Sequence, residues 1–142
     1  MKVLVIGGGG REHAVCAALK KSPLVDSIIC APGNGGISQI AECAPVAATD
    51  IPGMLGLARS RAVDFVVVTP DDPLALGMAD AFAEAGIPAF GPFKNAALIE
   101  SSKVFSKGLM KKYGIPTAEY ESFTDPEKAL AYIREKGAPI VV

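Results

Sequence analysis

The chain begins Met1-Lys2-Val3-Leu4-Val5-Ile6-Gly7-Gly8-Gly9-Gly10-Arg11-Glu12-His13, and no other stretch limits the fold as strongly. Val3 to Ile6 are continuously apolar and mostly β-branched, the pattern of a strand covered on both faces of a parallel sheet. Four glycines end the run, and a helical spacing of Ala14, Val15, Ala18 and Leu19 follows at once. Strand, glycine turn and helix in that order can bind phosphate. Glycine lets the backbone approach an anion, and the free amides and positive dipole end of the helix point at it. The glycines would serve a plain strand-to-helix turn as well; Arg11 directly after them favours the anion.

Composition narrows the setting. Half of the 142 residues are apolar, so the chain can bury a real core. A net charge of −1 gives no reason to expect nucleic acid or an anionic membrane surface as partner. No apolar run approaches the roughly 20 residues that span a bilayer, and the first apolar run is too short for a signal peptide. Cys16, Cys30 and Cys43 form no CxxC pair and suit reduced thiols in a cytoplasmic protein, with Cys16 and Cys30 as small core residues. With a single histidine and no clustered thiols, a metal site within the chain is not expected.

In chain order, helix is predicted from about Glu12 to Lys20, stopped by Ser22-Pro23. Ile28 to Ala31 reads as the second strand, with the loop Pro32-Gly33-Asn34-Gly35-Gly36 at its C-terminal end. A short strand is expected at Ala44 to Ala47. Asp50 caps a helix with Pro52 in its first turn, ending near Ser60. Val63 to Val68 is the clearest buried strand, closed by Thr69-Pro70-Asp71-Asp72-Pro73. Leu74 to Ala85 reads as one helix stopped by Gly86, and Ala89-Phe90 as a short strand. Strands alternating with helices predict an α/β fold, a Rossmann-like doubly wound parallel sheet. Ligands bind such sheets outside the C-terminal ends of the strands, where GGGGREH, APGNGG and TPDDPLALG all fall.

After Pro92 the pattern changes. Helices are expected from Lys94 to Glu100 and from Ser102 to Lys112, then an exposed-edge strand from Glu119 to Phe123. Thr124-Asp125-Pro126-Glu127 reads as a capping box opening a helix to Lys136. Pro139 to Val142 reads as the start of a buried strand, which suggests a piece of a longer protein. The expected division is 1–100 and 101–142.

Two phosphate ligands compete. A dinucleotide fits poorly, because Gly7-x-Gly9 lacks the third glycine of G-x-G-x-x-G, where Glu12 stands. The second strand also ends in Ala31-Pro32, without the acidic residue that would hold an adenine ribose. A sugar phosphate fits better: the amides of Gly8, Gly9 and Gly10 and the Arg11 guanidinium can hold a phosphate. Glu12, Asn34, Asp71 and Asp72 supply groups for hydroxyls or an amine. Solvated first-turn roles for Arg11 and Glu12, and a capping role for one aspartate, remain open, and His13 can equally pack on the sheet.

The segments MKVLVIGGGGREHA, APGNGG, VDFVVVTPDDPLALG, FGPFKNAALIESSKVFSKGLMKKYGIPTA and GAPIVV together resemble, collinearly over the whole chain, the amino-terminal part of the phosphoribosylamine–glycine ligases. These enzymes belong to the ATP-grasp superfamily. The resemblance implies a pre-ATP-grasp domain followed by the start of an ATP-grasp domain. It implies a ligation in which ATP phosphorylates the glycine carboxylate and the amine of 5-phosphoribosylamine attacks the acyl phosphate. The products are glycinamide ribonucleotide, ADP and phosphate, in de novo purine synthesis.

Carried over, Gly8 to His13 would face the phosphoribosylamine, with Gly33 and Asn34 lining the same pocket. Pro70, Asp71, Asp72, Pro73 and Leu74 would approach ribose or glycine, and Lys103 would reach ATP phosphate. Magnesium or manganese would be held by carboxylates outside these residues, and the full-length enzyme would be a monomer. Two departures stand out. Thr69-Pro70-Asp71-Asp72-Pro73-Leu74 replaces the family's Gly-Pro-Glu-x-Pro-Leu, and Ser101-Ser102 replaces the Gly-Ser before the lysine. The resemblance lacks the second ATP-binding lysine and the glycine-rich flap, so the 142-residue chain is not expected to catalyse the ligation alone. A nicotinamide-dependent oxidoreductase domain and a non-catalytic sugar-phosphate-binding module are the alternatives.

Overall fold

The computed structural model describes all residues, 1–142, and the chain divides into two compact units, Met1–Ser101 and Ser102–Val142. The first holds five strands: β1 (Lys2–Gly7), β2 (Ser27–Pro32), β3 (Glu42–Cys43), β4 (Phe65–Val68) and β5 (Ala89–Phe90). All pair in parallel, in the order β3-β2-β1-β4-β5. This is the doubly wound sheet that the strand–helix alternation predicts. Its order reverses between β1 and β4, so a crevice opens there at the C-terminal ends of both strands.

β1 is central and apolar on both sides because each side is covered. Val3 and Val5 pack with Cys16, Ile28, Cys30, Ile37 and Val67 on the face that carries α1 (Gly10–Leu19). Leu4 and Ile6 pack on the other with Met54, Ala58, Met78 and Phe82, from α2 (Ile51–Ser60) and α4 (Met78–Glu84). None of these four β1 side chains exceeds 1% exposure. Fully burying such a side chain contributes about 1.5–3 kcal/mol. α2 starts as its sequence requires: the Asp50 carboxylate accepts the Gly53 amide at 3.0 Å, and Pro52 stands in the first turn.

Cys16 and Cys30 are buried core residues, while Cys43 is half-buried. The Cys30 thiol donates to the Gly7 carbonyl at 3.4 Å. Its contact with Cys16 and its burial push its pKa far up, so it stays a neutral thiol. Titrating the native chain with a thiol-specific reagent near neutral pH should therefore modify Cys43 first. Cys16 and Cys30 should react only on addition of denaturant; three fast-reacting thiols would contradict this packing.

Several local expectations need correction in this unit and the next. The third strand lies at Glu42–Cys43, earlier than Ala44 to Ala47, because only these two residues come into register with Ile29 and Cys30. The predicted helix from Leu74 to Ala85 is two: α3 (Asp71–Leu76) and α4. Gly77 between them adopts φ +99°, a left-handed stop that apolar spacing cannot reveal, since Leu74, Met78 and Phe82 stay buried across the break. β5 then leads to α5 (Lys94–Ser101), whose first amide donates to the Asp80 carboxylate at 2.8 Å.

The second unit contains α6 (Lys103–Lys112) and α7 (Pro126–Lys136). Ser102 caps α6 by accepting the Phe105 amide at 3.3 Å. Asp125, one residue after the predicted Thr124, caps α7 by accepting the Glu127 amide at 3.0 Å. No strand forms at Glu119–Phe123 or Pro139–Val142, because neither finds a partner strand. Lys107 instead ties the intervening segment to α6 through the Thr117 hydroxyl at 2.6 Å, and Phe123 packs on Tyr132 with ring centroids 5.3 Å apart.

Candidate phosphate-binding site at the C-terminal ends of β1, β2 and β4

Backbone chemistry draws three loops together at one end of the sheet. The Gly33 amide donates to the Gly7 carbonyl at 3.0 Å, joining the loops after β1 and β2. Asn34 reinforces the joint: its amide nitrogen donates to the Gly8 carbonyl at 2.9 Å, while its oxygen accepts the amides of Gly36 and Ile37, each at 2.9 Å. The approach is close enough to demand glycine. A Cβ on Gly8 would lie 2.7 Å from the Gly33 carbonyl oxygen. Gly33 itself has φ +73°, a conformation that side chains rarely adopt. The His13 ring lies on this joint, and a Cβ on Gly36 would come within 2.9 Å of its Cε1.

Helix α1 begins from Gly9. The first amides of a helix lack intrahelical partners, and the first such bond here runs from the His13 amide to the Gly9 carbonyl at 3.2 Å. Gly10 and Arg11 therefore offer amides at the positive end of the helix dipole. The Arg11 guanidinium is exposed and stands 3.8 Å from the Asp71 carboxylate at the start of α3. That couples the glycine loop to the loop after β4. Asp71 is thus the aspartate nearest the glycine loop's arginine; Asp72 is exposed and pairs with no cation.

Glu12 behaves differently from its sequence reading. It is 3% exposed, and both carboxylate oxygens are committed within the chain. One accepts the Gly9 amide and the other the Thr69 hydroxyl at the end of β4. A helix whose cap is glycine has no cap side chain, and the glutamate in its third position supplies the return bond. Thr69, which also lies 3.1 Å from the Ile6 carbonyl, joins the site although residue types alone do not single it out. Its one signal is a hydroxyl where the buried run of β4 gives way to Pro70.

The structure thus brings together Gly8, Gly9, Gly10, Arg11, Glu12, His13, Gly33, Asn34, Pro70 and Asp71. Pro73 and Leu74 are buried inside α3, with Leu74 in the core beneath the loop. Lys103 lies in the other unit as the exposed first residue of α6. A concavity of about 160 Å³ borders the site, between Asp71, Leu74, Pro92, Ala97 and Glu100. A roomier one of about 440 Å³ lies where β1 and β2 begin, at the opposite end of the sheet. Of its two cations, Arg61 is already paired with Glu42 at 2.8 Å and Lys2 donates to the Arg61 carbonyl at 2.5 Å. No group of three or more His, Cys, Asp or Glu side chains is placed to hold a metal ion, and no helix is long and apolar enough to cross a membrane.

Residues 1–100 match the family model for the phosphoribosylglycinamide synthetase N domain, and residues 101–142 the model for that enzyme's ATP-grasp (A) domain. The chain belongs to the phosphoribosylglycinamide synthetase family. It is 49% identical over 144 aligned residues to a phosphoribosylamine–glycine ligase of Salmonella typhi, and 47% identical to one of Vibrio cholerae. Each alignment covers all of this chain and 34% of the relative, so the chain spans about a third of their length. Among solved structures, the phosphoribosylamine–glycine ligase of Thermotoga maritima superposes with a TM-score of 0.67 at 30% identity, over 95% of this chain and 30% of that one. An N5-carboxyaminoimidazole ribonucleotide synthetase of the same organism shares the fold at 23% identity, with a TM-score of 0.69 over 97% of this chain and 37% of that one.

Proposed function

We propose that the chain supplies the phosphoribosylamine-binding domain and the first part of the ATP-grasp domain of an ATP-dependent ligase. That enzyme joins glycine to 5-phosphoribosylamine and releases glycinamide ribonucleotide, ADP and phosphate. The observation that carries the reading is the convergence of the glycine loop, the Gly33-Asn34 loop and Asp71 at one end of a sheet built from residues of the matching N domain.

The amides of Gly10 and Arg11 and the Arg11 guanidinium receive the 5′-phosphate, an arrangement of charge-assisted donors suited to a phosphate monoester. Asp71 accepts a ribose hydroxyl or the amine. Gly33, Asn34 and His13 hold the loop in shape, and Pro70, Asp72, Pro73 and Leu74 fix where Asp71 stands. Lys103, exposed and paired with no carboxylate, serves an ATP phosphate. The residues present do not form a magnesium or manganese site. A cytoplasmic enzyme, monomeric at full length, completes the reading.

Isothermal titration of the 142-residue chain with ribose 5-phosphate, a stable substitute for the labile amine, tests it. Binding of ribose 5-phosphate with none of NAD is expected. Binding of NAD, or of neither, would overturn the assignment of the phosphoribosyl site to this unit.

A further inference from the structure

We propose that Glu12 determines the class of phosphate that this site accepts, closing the β1–β4 crevice to a diphosphate and leaving room for a single phosphate group at the start of α1. The proposal deepens the sugar-phosphate reading and rests on it. In a doubly wound sheet the crevice at the reversal of strand order is where a bridging diphosphate would lie, and here it falls between β1 and β4.

The Glu12 side chain fills it. A Cβ on Gly7 would lie 2.7 Å from both Cγ and Cδ of Glu12 and 2.9 Å from Cγ of Pro70. A Cβ on Gly9 would lie 2.9 Å from the carboxylate itself. The glycines at 7 and 9 thus make space for a glutamate, where a dinucleotide loop uses the same freedom for its ligand. The bond to Thr69 ties the plug to the far wall of the crevice.

Charge acts in the same direction as shape. Glu12 pairs with no lysine or arginine, and its counterweight is the helix start and two hydrogen bonds. A second phosphate entering the crevice would meet a buried like charge in a medium that screens it poorly. It would also find the Gly9 amide already taken. The donors left, the Gly10 and Arg11 amides and the Arg11 guanidinium, match one terminal phosphate.

The test compares two ligands that share a ribose 5-phosphate end, ribose 5-phosphate and ADP-ribose. They are titrated into the wild-type chain, Glu12→Gln and Glu12→Gly. The wild type should prefer ribose 5-phosphate. Glu12→Gly, which completes the G-x-G-x-x-G spacing begun by Gly7 and Gly9, should bind ADP-ribose roughly tenfold more tightly than wild type, and the near-isosteric Glu12→Gln should gain a few-fold by losing the charge. Unchanged ADP-ribose affinity in variants that melt cooperatively would overturn the proposal. So would failure of Glu12→Gln to fold, which would make Glu12 a requirement of the fold alone. Failure of the wild type to bind ribose 5-phosphate would instead count against the substrate reading, because the gain for ADP-ribose is scored separately.

Discussion

With Phe82 replaced by alanine, the first unit should lose about 3–5 kcal/mol of stability, the cost of a large core cavity. Phe82 is fully buried in α4, among Leu4, Ile6, Val66 and Met78 on one face of the sheet. The surrounding elements are a parallel sheet and its crossing helices, which cannot collapse around a missing ring without shifting register. Small domains have about 5–15 kcal/mol in total, so the variant should sit close to its unfolding midpoint in mild urea. Far-UV circular dichroism against urea measures the shift. Leu76→Ala serves as the control, since that leucine is 52% exposed and its removal should matter little. A Phe82→Ala shift no larger than the control's would mean that α4 is not seated on the sheet as described.

Arg11→Ala should have the opposite signature, a large loss of binding with the fold untouched. A hydrogen bond from a cation to phosphate contributes about 1.5–3 kcal/mol, so affinity for ribose 5-phosphate should fall roughly ten- to hundredfold. Stability should barely change. The Arg11 side chain is 65% exposed, and its pair with Asp71 at 3.8 Å belongs to the class of surface pairs contributing about 0–1 kcal/mol. Arg11→Lys should recover part of the affinity, because a lysine restores the charge without the two-pronged geometry. Titration calorimetry of the three proteins, with melts in parallel, decides it. Equal affinity in wild type and Arg11→Ala would remove the arginine from the phosphate site.

Much of this was legible in the residues. Val3 to Ile6 and Val63 to Val68 announce buried parallel strands because only Asp64 interrupts them, and Val3 to Ile6 lies beside Phe65 to Val68 in the sheet, which leaves Val63 and Asp64 outside the strand. The three loops that meet at the site could be placed together from topology alone, since every strand of such a sheet ends on the same side. What the residues hid was direction. Glu12 reads as a carboxylate offered to a ligand, yet its side chain turns inward to Thr69, a contact across 57 positions of sequence that no local pattern encodes. Gly77 stops a helix through a backbone angle, and the apolar spacing runs straight past it. The strands read at Glu119–Phe123 and Pro139–Val142 failed for a related reason. Alternation describes a strand's faces, but only a partner makes a strand.

The two ends of the sheet, β3 and β5, are two residues each. The long apolar strand β1 occupies the middle, with Val3 to Ile6 paired on both sides. Each border offers so few free amides and carbonyls that a neighbouring molecule has almost nothing to extend. A chain that is half apolar, with nearly balanced charge, thereby resists edge-to-edge stacking by keeping its borders short rather than by charging them.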